Sequence, residues 1–186
     1  MSVQGLGMMF REVQRVVNTN ASPDVLWKRI LDVAGESKNA ELRSLDFEAS
    51  SRVAAQQLSA MIRSQPLPSN LSFVYVGLVD LVDRTSRFNE VHVGCYFAGG
   101  TSFTAEESLN SGDLSYFPQN RFFKLEILDR IKRLNYGEHH RQQLFDYVIL
   151  FGAAAILAKE AVASVGIRAP LYVGFDSGDY ALISIN

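Results

Sequence analysis

The sequence predicts an α+β fold, with an antiparallel sheet packed against several helices. Three observations predict it. Residues 71–98 hold two β-branched, aromatic runs around a polar turn, and residues 171–185 hold a second such pair. Residues 138–165 form one long helical pattern, apolar nearly all round from Leu144 to Leu157, as a central core helix is. The 186 residues are 47% hydrophobic and 20% charged, the composition of a folded body rather than a disordered chain. One domain over 1–186 follows, with a radius of gyration of about 16 Å and roughly 70% of the unfolded chain's surface buried.

Each element has its own local reason. Residues 8–18 fit either a strand or a short helix. Ser22-Pro23-Asp24 starts a helix, with Ser at the N-cap, Pro at the first helical position and an acid near the positive dipole end. Leu26, Trp27, Ile30, Val33 and Ala34 then share a face and Gly35 stops the helix, which spans 23–34. Residues 41–46 show no clear period. Phe47 to Ser64 is helical, with a stripe of Ala54, Leu58, Met61 and Ile62, and Pro66 and Pro68 end it.

Residues 71–82 form a buried strand, 83–89 a turn and 90–98 a second strand, together an antiparallel hairpin. Val91, Val93, Cys95 and Phe97 share one face; His92, Gly94, Tyr96 and Ala98 share the other. Residues 99–119 lack periodicity, and a loop of about 20 residues in a compact domain is more often functional than idle, unless it hides a short helix near 104–109. Asn120 caps a helix through Leu134, with Phe123, Ile127, Leu128, Ile131 and Leu134 inward. Asn135-Tyr136-Gly137 breaks it before the long helix 138–165, which Gly166 ends. The runs 171–176 and 180–185 close the chain as a hairpin around Ser177-Gly178-Asp179.

Composition also bounds function. A net charge of −2 argues against a dedicated nucleic-acid binder. Arg121, Lys124, Arg130, Lys132, Arg133 and Arg141 give a local basic excess, but Glu126, Asp129 and Glu138 interrupt it as on a solvated helix face. A single cysteine excludes an intrachain disulfide and a multi-cysteine zinc site, and fits a reducing compartment. The N-terminal residues lack a signal-peptide pattern. The longest apolar run, Tyr147 to Ala158, falls short of the roughly 20 residues a bilayer needs. The expected location is therefore the cytoplasm, without a membrane. No Walker loop, GxGxxG, GxSxG or HExxH motif occurs, so no cofactor and no catalytic residue is expected.

The histidines give no metal centre. His139 and His140 are neighbours that point about 100° apart on a helix. His92 and Cys95 lie on opposite strand faces, which leaves Cys95 a core thiol. Asp176 and Asp179 bracket the last turn. They serve turn geometry, a rigid recognition tip, or a ligand or metal pocket at the sheet edge that would include His92. Glu106, Glu107 and Asp113, with Phe103, Tyr116 and Phe117, make the 99–119 loop acidic and aromatic. Such a set suits a protein partner, since aromatics anchor and charge steers. These eight residues are the expected contact set.

The order of hairpin, aromatic loop ending in Tyr116-Phe117-Pro118, two helices and a closing GFDSGDY (174–180) resembles small bacterial immunity proteins. Those neutralise toxins delivered between competing cells. The resemblance implies a cytoplasmic protein that occludes a toxin without catalysis. It transfers no residue role. The competing expectation is a small enzyme or a small-molecule or metal-binding protein that uses Asp176 and Asp179.

Overall fold

The computed structural model describes residues 3–83, 90–101, 114–135, 143–175 and 180–185. Among them the chain runs α1 (Val3–Val17), α2 (Pro23–Val33), α3 (Ala40–Arg43), α4 (Phe47–Ser64), β1 (Phe73–Asp83) and β2 (Glu90–Gly100). It continues through β3 (Phe122–Lys124), α5 (Glu126–Asn135), α6 (Gln143–Ser164), β4 (Leu171–Phe175) and β5 (Tyr180–Ile183). The fold is α+β.

The open question at residues 8–18 resolves to helix. Phe10, Val13 and Val17 fall inward at spacings of three and four, which alternation in a strand would not allow. Helix α2 starts at Pro23 as expected, yet Ser22 makes no side-chain cap bond. Asp24 instead reaches across to α4, where its Oδ1 accepts from Phe47 N at 2.8 Å and Glu48 N at 3.3 Å. Trp27 stacks on Phe47 at 4.4 Å, and its Nε1 donates to Leu42 O at 2.7 Å. The aperiodic 41–46 region thus holds a short helix that serves as a floor for Trp27. Gly35 and Gly166 end their helices at φ 77° and 74°, where an L side chain would be strained.

The sheet order is β3-β2-β1-β4-β5. β1 and β2 pair antiparallel from Phe73↔Gly100 to Asp83↔Glu90, and β4 and β5 form the closing hairpin. The sheet is mostly antiparallel, as expected, with one parallel pairing between β1 and β4 that puts Val74 beside Leu171. The crossover through α6 brings the chain back in the direction it left. A correction concerns Asn120–Lys124. These residues do not start a helix: Phe122–Lys124 form an edge strand on β2, with Phe123 opposite Cys95, and α5 begins at Glu126. The alternating exposure of β3 is the signature of a strand.

Helix α6 lies between the sheet and α1, α2 and α4. Nearly all of it is buried from Val148 to Val162. Gly152 permits the closest approach, since a Cβ there would lie 2.8 Å from Ile30 Cδ1 and 3.1 Å from Val13 Cγ1. The segment Tyr147–Ser164 is long and apolar enough to cross a membrane, but 78% of it is buried inside this fold, as in a core helix. Its one buried cation, Lys159, donates to Val17 O and Thr19 O, both at 2.9 Å, and closes the C-terminal end of α1. Burial pushes the Lys159 pKa down, and the neighbouring Glu160 opposes this.

Candidate functional site

The short strand β3 and the turn before it build the most distinctive described surface. Tyr116 fixes the turn. Its backbone bridges Gly99 with bonds of 2.9 and 3.0 Å, and its hydroxyl donates to Gln65 O at 2.6 Å. Gln119 N donates to Gln65 Oε1 at 3.0 Å, and Arg121 N to Pro118 O at 3.1 Å. Arg121 O in turn accepts from Phe97 N at 2.9 Å. This net holds two rings outward, with Phe117 43% and Phe122 48% exposed. The Arg121 guanidinium carbon lies 4.7 Å from the Phe122 centroid and 5.7 Å from that of Phe117, so one cation serves both rings. Tyr96 continues the surface inward, 6.1 Å from Phe122.

A polar cluster sits at the other end of β3. His92 Nδ1 donates to Asp129 Oδ2 at 2.8 Å. Val93 N donates to Asp129 Oδ1 at 2.7 Å, and Lys124 Nζ stands 3.7 Å from Oδ2. Asp129 is buried, and these donors compensate its charge. β3 ends before it reaches His92 and Val93, so Asp129 from α5 takes the Val93 amide that a longer strand would have paired. The pairing of His92 was missed in the sequence. The available signal was an acid in the first turn of a helix that follows an edge strand.

Of the expected contact residues, Tyr116 is buried as the anchor and Phe117 is exposed beside Arg121. Phe103, Glu106, Glu107, Asp113, Asp176 and Asp179 lie outside the described residues, as do His139 and His140. Arg121 and Phe122 join the site from a stretch first read as helix. Cys95 is buried on the helix-facing side, and burial pushes its thiol up to about 12, so it is protonated and inert at neutral pH. The gap beside it is about 10 Å³, at the lower limit for one water. Among the described residues, no three His, Cys, Asp or Glu side chains converge on a metal position. No protein-family model, curated protein or solved structure matches the chain.

Proposed function

We propose that this chain is a non-catalytic protein-binding domain whose contact surface centres on Phe117, Arg121 and Phe122. One observation carries the reading: two exposed rings held rigidly around one guanidinium. Aromatic and arginine side chains dominate the energetic centres of protein interfaces, and a pre-ordered set loses little entropy on docking. Restriction of a cytoplasmic toxin, as an immunity protein does it, is the finer form of this reading and rests on the resemblance alone. The test is capture from native lysate with wild-type protein and with Arg121→Ala/Phe122→Ala. A stoichiometric partner retained by the first and lost by the second is expected. Equal capture by both, with the variant folded, sinks the assignment of the surface.

A small enzyme is the second reading, and the His92–Asp129 pair favours it. A carboxylate on Nδ1 fixes the ring tautomer, as it does for a general base. This reading predicts a metabolite whose thermal stabilisation of the protein disappears in His92→Gln. A hit unaffected by that change places the ligand elsewhere.

A further inference from the structure

A cleft of about 190 Å³ opens where the start of α4 meets the end of α6, beside Pro23. It shares no residue with the β3 surface. Glu48 and Arg52 stand four apart on α4, and Glu160 and Ser164 four apart on α6, so each pair presents one helix face. Both pairs line the cleft, with Ser51 and Ala55. Among the described residues, neither Glu48 nor Glu160 has a cation within 4.0 Å. Lys159, adjacent to Glu160, is committed to Val17 and Thr19. Ser51 is only 6% exposed, and its Oγ has no hydrogen-bond partner. Arg52 and Ser164 also line a neighbouring groove of about 510 Å³ that contains Arg63. The cleft is thus acidic at one end and basic towards the groove.

We propose that this cleft binds a small zwitterion of the α-amino-acid class, with its ammonium at Glu48, Glu160 and Ser51 and its carboxylate on Arg52. An ammonium has three N–H donors, and the cleft offers two carboxylates and one hydroxyl. Arginine matches a carboxylate with two parallel N–H donors. A divalent metal would need more carboxylate or imidazole ligands than the cleft brings together. Burial raises the Glu160 carboxyl above its ordinary pKa, Lys159 opposes this and Glu48 adds to it. A longer side chain would run into the groove past Arg52.

The test is NMR titration of the intact chain with L-alanine, N-acetyl-L-alanine and L-alaninamide. L-Alanine is expected to give saturable shifts at the Ser51, Ala55 and Ser164 amides. The two blocked probes, each lacking one charge, are expected to bind about tenfold more weakly or worse. Glu160→Gln, Arg52→Gln and the more exposed Glu48→Gln are each expected to weaken L-alanine by about tenfold with the spectrum otherwise native. The proposal is overturned by no saturable shift below about 10 mM, by equal responses to the three probes, or by unchanged affinity in folded Glu48→Gln and Arg52→Gln.

Discussion

The two faces of the sheet are built from the same strands and differ in chemistry. Val74, Val76, Leu78, Val93, Phe97, Leu171 and Val173 face the helices and belong to the main core. The alternate residues Phe73, Tyr75, Tyr96, Tyr172 and Tyr180, with Phe122 from β3, face the other way. Their rings meet at 5.6 to 6.1 Å between Tyr75, Tyr96 and Phe122, and at 5.7 to 5.8 Å between Phe73, Tyr172 and Tyr180. The first face is held by burial of mostly aliphatic surface, which is proportional to area and indifferent to direction. The second is held by ring geometry, worth roughly 0.5–1.5 kcal/mol per pair beyond burial, and by polar tips such as the Tyr75 hydroxyl on Phe175 O at 3.0 Å. A period of two lets one strand pack its two faces by different means.

Adjacent residues of β2 test that division most strongly. Phe97→Ala should cost about 3–5 kcal/mol in chemical denaturation, whereas Tyr96→Ala should cost about 2 or less. Equal losses would erase the distinction. Gly77 sharpens it, because the Tyr96 ring lies across this glycine and an added Cβ would stand 2.2 Å from Tyr96 Cε1. Gly77→Ala should therefore cost about 1–3 kcal/mol alone and less in a Tyr96→Ala background, where Tyr75 Cε1 at 2.8 Å from the added Cβ remains as an obstacle. Additive losses would show that Tyr75, rather than the Tyr96 ring, excludes a side chain there.

Smaller effects appear at high pH, on both faces. Burial, and then Tyr180, raise the Tyr172 pKa. Its folded pKa then exceeds its unfolded value, so this contribution is fully present below the unfolded pKa and is lost as pH rises through the folded one. Denaturation midpoints should fall above about pH 9 as the buried Cys95 thiol resists ionisation, Tyr172 should add to the fall above about pH 10, and Tyr172→Phe should flatten only that upper part. An unchanged slope would mean that Tyr172 does not supply it. Phe117→Ala should change stability by less than about 0.5 kcal/mol while weakening capture of the partner. A large loss of stability would make Phe117 part of the packing rather than of the contact surface.

The elements legible in the sequence were those whose local signals agreed. Pro23 and Gly35 bracket α2, the helical pattern from about Phe47 to Ser64 matches α4, and β1, β2, β4 and β5 carry the β-branched and aromatic residues expected of them. β3 was misread because Phe123, Ile127 and Leu128 satisfy a helical period across a boundary that only the free edge of β2 creates. The parallel β1–β4 pairing depends on how α6 crosses the sheet, which no local pattern encodes. The site was legible in part for the same reason. Phe117 stood out as an aromatic in an aperiodic stretch, but the pairings of Arg121 with Phe122 and of His92 with Asp129 are set by β3 docking. The cleft at Glu48 and Glu160 joins residues that only α4–α6 packing brings together.

Helix α1 ends in contacts drawn from far along the chain. Lys159, 142 residues after Val17, binds its last carbonyl. Ser184 N donates to Asn18 Oδ1 at 2.8 Å, and Gln14 Nε2 to Leu182 O at 2.8 Å. During synthesis at about 5–20 residues per second, Val17 joins the chain roughly 7 to 28 s before Lys159 does. For that interval the apolar stripe of Val13 and Val17 can lean on α2 but lacks α6 and β5. Until α6 and β5 are made, α1 has only α2, among the described elements, to pack against, so the last turn of α1 stays open for most of the chain's synthesis.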